Sequence, residues 1–158
     1  MSETRVLTDL TATRAYAGEL AGRLPDGALL LLDGPLGAGK TTLVAALVEA
    51  LGGPDRAASP TYTLVHEYPT PGGDVVHVDA YRLADAGAWD DLGLDAYLDR
   101  ARLVAVEWGA PLADAYPDAW RLALARPDGA DGPRHATLVA PPHASGEHRG
   151  VPLQLGLD

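Results

Sequence analysis

The sequence predicts an α/β fold: a mixed sheet with a parallel core and antiparallel edge strands, flanked by helices. Three observations lead there. An apolar run, Ala28 to Asp33, feeds a glycine-rich loop that opens a helix-periodic segment. Two further apolar runs, Val75 to Asp79 and Leu103 to Glu107, each close on one acid. Late in the chain, Trp120–Ala125 and Ala136–Ala140 flank a turn-rich stretch, the pattern of a hairpin.

Taken in order, Thr11 to Leu24 reads as a helix, because Thr13, Tyr16, Ala17, Leu20, Ala21 and Leu24 recur at helical spacing. Pro25-Asp26-Gly27 breaks it. The run ALLLLD from Ala28 has no polar alternation, as expected of a strand buried on both faces. Thr41 to Leu51 carries Leu43, Leu47, Ala50 and Leu51 on one face and stops at Gly52-Gly53-Pro54. A polar loop surrounds Ser59-Pro60-Thr61. Tyr62–Tyr68 and Asp74–Asp79 read as two strands joined by Pro69-Thr70-Pro71-Gly72-Gly73. Residues 83–100 read as short helices interrupted at Gly93, and Leu103–Val106 as a buried strand ending at Glu107-Trp108. Residues 1–141 are expected to form a single domain, and the Pro-, Gly- and His-rich tail 142–158 to be loosely ordered.

Composition narrows the function. The 158 residues have a formal net charge of −10, which argues against holding nucleic acid unaided, since phosphate backbones are bound by clustered cations. With no cysteine, disulfides and thiolate metal sites are excluded. No signal peptide and no membrane-length apolar stretch is visible, so a cytoplasmic protein is expected. Eleven of the twelve basic residues are arginine; the only lysine is Lys40.

That lysine lies in Gly34-Pro35-Leu36-Gly37-Ala38-Gly39-Lys40-Thr41, which fits G-x-x-x-x-G-K-[ST] at every fixed position. A polyphosphate needs several backbone N–H groups aimed at one point, and a glycine-rich turn lets the chain wrap that tightly. The backbone of Gly37, Ala38 and Gly39 is the expected cradle, and the helix that follows adds its positive end. Lys40 is placed to reach the β- and γ-phosphates, Thr41 to bind Mg²⁺ and Thr42 to bind a phosphate oxygen. The fold class is therefore that of a P-loop nucleotide hydrolase.

Such a site needs a carboxylate at a strand end beside the loop. Glu107 follows the more apolar run, which suits a central strand, and is assigned to Mg²⁺. Asp79 is then the candidate to orient the attacking water or to hold a metal-bound water. The spacing leaves the reverse assignment open. Thr61 is equally compatible with a switch residue that senses the γ-phosphate and with a plain turn residue after Pro60. Trp108 reads as core packing, and His66 and His77, which lack metal-ligand spacing, as structural. Asp90-Asp91 reads as a solvated helix face.

The lysine count bears on nucleotide class. The guanine motif of common GTPases requires a second lysine, which this chain lacks, so ATP is expected. A small-molecule kinase is the rival reading, but Arg82, Arg100, Arg102, Arg121, Arg126 and Arg134 are scattered rather than gathered in a lid.

Beyond the loop, the segments Ser59–Val65 (SPTYTLV), His77–Leu83 (HVDAYRL), Leu92–Leu98 (LGLDAYL) and Val106–Trp108 (VEW) follow in order. With Gly34–Thr42 they resemble the bacterial TsaE (YjeE) family of P-loop ATPases over most of residues 5–140. The resemblance implies an ATPase subunit that works with TsaD and TsaB to form N6-threonylcarbamoyl adenosine beside the tRNA anticodon, meeting tRNA only through that complex. It places Lys40 and Thr41 on phosphate and Mg²⁺, Glu107 on the Mg²⁺ acid and Asp79 near the γ-phosphate. Arg134 resembles a late arginine that touches nucleotide, although Pro133 separates it from Gly132. Leu10 and its neighbours fall where the family closes over the nucleotide. No arginine finger is obvious within the chain; Arg82 is the nearest candidate, so weak hydrolysis in isolation is expected. Pro35, Ala86-Gly87-Ala88-Trp89 and the tail depart from the family pattern.

Overall fold

A computed structural model of the chain describes residues 2–35, 37–54, 65–79, 93–129 and 131–142. Thr61, the rest of the Ser59–Leu64 segment, Arg82, Asp90-Asp91, the proposed helical segment before Gly93 and the tail from residue 143 lie outside the described residues.

The chain opens with β1 (Ser2–Leu7) and α1 (Leu10–Arg23), whose first turn is capped by the Asp9 carboxylate accepting the Ala12 N–H at 2.8 Å. Then come β2 (Ala28–Asp33), the glycine loop and α2 (Lys40–Ala50). The antiparallel hairpin β3 (Val65–Tyr68) and β4 (Val75–Asp79) follows. Next are α3 (Leu94–Arg100), β5 (Leu103–Glu107), a 3₁₀ turn (Ala110–Leu112), β6 (Trp120–Ala125) and β7 (Arg134–Val139).

Among the described residues seven strands join one sheet in the order β1-β7-β6-β2-β5-β4-β3. Strands β6, β2, β5 and β4 run parallel; β3 pairs antiparallel with β4 on one side, and on the other β7 pairs antiparallel with both β6 and β1. This is the mixed sheet expected from the sequence.

Alternation along the central strands creates two apolar layers. Leu30, Leu32 and Ala105 pack with Leu20 of α1 and Leu43, Val44 and Leu47 of α2. Leu29, Leu31, Val76, Val78, Val104 and Val106 pack on the opposite face with Leu94 and Leu112. The central strands are covered on both sides, which is why they read as unbroken apolar runs.

Two differences from expectation matter. Strand β1 is a seventh strand that the sequence reading did not anticipate. It pairs with β7 from Ser2↔Val139 to Leu7↔Arg134, and only Leu7 is buried, so its polar residues carry little strand signal. In addition, β7 starts at Arg134 rather than Ala136, which seats Arg134 within the sheet opposite Leu7.

Candidate nucleotide and metal site

Parallel strands in register carry their C-terminal ends to one edge, and the loop leaves from that edge. Leu32 pairs with Glu107, and Glu107 with Asp79. The two strand-ending acids are therefore neighbours beside the glycine loop. Glu107 is on the strand next to β2, and Asp79 is one strand further out.

The loop is shaped by β6. A Cβ at Gly34, where φ is +150°, would collide with the Leu124 carbonyl. At Gly37, with φ +79°, a Cβ would lie 3.2 Å from the Arg126 guanidinium. Both glycines are required by close approach as well as by backbone conformation. The cap of α2 is Gly39, which supplies no side-chain acceptor, so the first N–H groups of the helix face the loop without a capping side chain.

Lys40 is almost entirely buried. Its ammonium donates to the carbonyls of Gly34 (2.6 Å) and Pro35 (3.1 Å) and sits 4.0 Å from the centroid of the Trp108 ring. Burial pulls its pKa below the ordinary lysine value, against the opposing charges of Glu107, Asp33 and Asp79. Trp108 has a left-handed backbone (φ 64°), and its N–H donates to the Leu32 carbonyl at 2.8 Å. It does pack on the second apolar layer, as its sequence context suggested. Its ring also forms a floor for the lysine, which the sequence reading missed.

Thr41 Oγ1 donates to Glu107 Oε2 at 2.8 Å. The same oxygen lies 2.5 Å from Nε2 of His77, which is fully buried on β4. Burial pushes the Glu107 carboxyl up. Hydrogen bonds from His77 and Thr41, with the nearby His77 and Lys40 charges, outweigh it and hold the pKa below the usual carboxylate value. His77, read from sequence as merely structural, is therefore what orients the acid of the site. Its signal was two residues away: His77 and Asp79 share one face of β4.

On the other side of the loop, Arg134 Nη2 donates to the Gly37 carbonyl at 3.1 Å and Nη1 to the Gly132 carbonyl at 2.8 Å. Arg134 also borders a cavity of about 250 Å³, with Thr8, Leu10, Ala38, Gly39 and Thr42 among its walls. The structure thus gathers Gly37, Ala38, Gly39, Lys40, Thr41, Thr42, Asp79, Glu107 and Arg134 around one loop. Among the described residues there is no cluster of three or more His, Asp or Glu that could hold a metal by itself. A Mg²⁺ site shared with phosphates does not need one, because one or two protein oxygens suffice.

Known proteins resemble this chain over most of its length. Residues 7–134 match the family described as threonylcarbamoyl adenosine biosynthesis protein TsaE. The tRNA threonylcarbamoyladenosine biosynthesis protein TsaE of Streptomyces coelicolor is 40% identical over 132 residues, covering 80% of this chain and 88% of that protein. The protein of the same name from Bacillus subtilis is 34% identical over 138 residues, covering 87% and 80%. The crystal structure of Bacillus subtilis YdiB superposes with a TM-score of 0.70 at 26% identity, over 89% of this chain and 86% of that one. The chain belongs to the TsaE family.

Proposed function

We propose that this chain is the Mg²⁺-dependent ATPase subunit for formation of threonylcarbamoyl adenosine beside the tRNA anticodon. It acts in the cytoplasm with TsaD and TsaB, and meets tRNA only through that complex. The observation that carries the reading is the Thr41–Glu107 pair. A hydroxyl and a carboxylate on different elements converge to 2.8 Å beside the only lysine of the chain. Two hard oxygen donors at one point, next to a phosphate loop, suit Mg²⁺. Family membership does not favour the small-molecule kinase alternative.

Each residue then has a task. The backbone of Gly37, Ala38 and Gly39, Lys40 and the Thr42 hydroxyl hold phosphate oxygens, and Arg134 braces the loop and borders the nucleoside cavity around Leu10. Thr41 and Glu107 hold Mg²⁺, which when bound neutralises phosphate charge. His77 fixes the carboxylate of Glu107. Asp79 accepts a hydrogen bond from the attacking water and draws its proton as the oxygen bonds to the terminal phosphorus and the bond to ADP breaks. Thr61 belongs to this reading as the sensor of the terminal phosphate, on its place in the Ser59–Val65 motif. A chain of net charge −10 is suited to leave RNA contact to its partners.

The test is co-purification with TsaB and TsaD followed by ATP turnover and tRNA modification assays. ATP turnover should be slow for the chain alone and rise with both partners present. Equal turnover in isolation would remove the partner dependence. Asp79→Asn should keep ATP affinity and lose turnover by on the order of 100-fold. Full tRNA modification by that variant would remove Asp79 from the chemistry.

A further inference from the structure

Most arginines among the described residues are spoken for. Arg5, Arg14, Arg23, Arg100 and Arg102 each lie within ion-pair distance of an aspartate or glutamate. Arg126, just past the end of β6, accepts the Gly129 N–H on its backbone carbonyl, but its guanidinium has no hydrogen bond or ion pair among the described residues, yet the residue is half-buried. Its guanidinium lies against the phosphate loop. Nη1, Cζ and Nη2 would be 3.2, 3.5 and 3.8 Å from a Cβ on Gly37, so the space a side chain would take at that position is filled by Arg126.

The other guanidinium at Gly37 is already committed to the backbone. Arg134 uses both terminal nitrogens on backbone carbonyls, of Gly132 and Gly37. Arg126 therefore brings a planar cation with unspent donors to a loop built to bind an anion. Withdrawing such a cation from water without an acid is unfavourable, and a polyphosphate would offset that cost.

We propose that Arg126 is a phosphate-contacting residue of the nucleotide site, donating its guanidinium N–H groups to the polyphosphate held by the loop. It is a cation supplied in cis from β6, additional to Lys40 and Arg134. The inference rests on the nucleotide-binding reading above and adds to it a contact that the loop motif does not contain. It also bears on the missing arginine finger: β6 offers a guanidinium within the chain, where the sequence order showed only scattered arginines.

The experiment is calorimetric titration of the full chain with ATP and with inorganic tripolyphosphate, for the native protein, Arg126→Gln and Arg126→Lys. Arg126→Gln should weaken both ligands by about 10-fold, the size of a lost charge-assisted hydrogen bond. Arg126→Lys should fall between, because it keeps the charge and loses the fork. The ligand-free melting temperature of each variant should match that of the native chain. Unchanged affinity in Arg126→Gln overturns the proposal and leaves Arg126 as packing on Gly37. A loss for ATP with none for tripolyphosphate also overturns it, since the contact would then lie off the phosphates. Failure of the native chain to bind either ligand would overturn the nucleotide reading along with it.

Discussion

The two flanks of the phosphate loop are built from opposite materials. On the β4–β5 flank, Asp79, Glu107 and His77 stand in register on buried parallel strands, and the key contact, His77 to Glu107, is sealed from solvent. On the β6–β7 flank, Arg126 and Arg134 approach from an antiparallel hairpin and are half-buried. The first flank holds negative charge tightly at a fixed point, as a divalent cation requires. The second surrounds Gly37 with delocalised positive charge, as a flexible polyphosphate requires. Lys40 lies at the junction, its ammonium on the carbonyls of Gly34 and Pro35 while the charges of Glu107, Asp33 and Asp79 act on it. The difference shows how a chain of net charge −10 can bind a polyanion. At the loop, Asp79 and Glu107 stand on one side, where a cation can neutralise them, and two guanidiniums stand on the other.

Removing the junction should have the largest effect. Lys40→Ala is expected to weaken ATP binding by on the order of 100-fold, with the fold retained, as read by calorimetry and circular dichroism. Unchanged ATP affinity would mean that neither flank serves a nucleotide.

The acidic flank can be tested alone. Glu107→Gln should raise the Mg²⁺ concentration needed for half-maximal ATP binding by about 10-fold or more. It should also alter the response to acid. The folded pKa of Glu107 lies below that of the unfolded carboxyl. Its ionised form therefore stabilises the fold fully above the unfolded value, and that contribution disappears as pH falls through the folded value. The gap in melting temperature between native protein and Glu107→Gln should narrow on acidification. A gap that stays constant down the acid limb would show that Glu107 is not held in its charged form.

The smallest expected effect concerns the floor beneath the junction. Trp108→Leu keeps an apolar side chain but removes the ring under the Lys40 ammonium. A loss of about 1–2 kcal/mol in chemical denaturation is expected, in the range of a partly desolvated cation–π contact. No loss would reduce Trp108 to packing.

How much of this could be read in advance depended on whether the signal was local. Strands β2, β4 and β5 were legible because burial on both faces removes polar alternation, and the acid at the end of each run marks where the chain reaches the loop. Lys40 and Thr41 were legible because a phosphate cradle needs fixed spacing. The contact of Thr41 with Glu107 was only half legible: Glu107 closes the more apolar of the two acid-ended runs, but the spacing left its exchange with Asp79 open. Strand β1 was not legible, because an edge strand with Ser2, Glu3, Thr4 and Val6 exposed has no apolar stripe to read. His77 was passed over because its meaning lies in a contact thirty positions away. Arg126 was lost among scattered arginines, since its place beside Gly37 is set by the approach of β6 to the loop and not by any spacing in the chain. Trp108 was half legible: its packing follows from an apolar context, but its contact with Lys40 depends on the loop folding back over it.

The solitary lysine has a practical consequence. An amine-selective acylating reagent has only two classes of target on this chain, the backbone amino terminus and Lys40. Burial that lowers the Lys40 pKa enlarges its neutral, nucleophilic fraction at a given pH, while the same burial bars the reagent from the amine. The rate at which a single internal label is acquired therefore reports how readily Lys40 becomes exposed, with no engineered reporter.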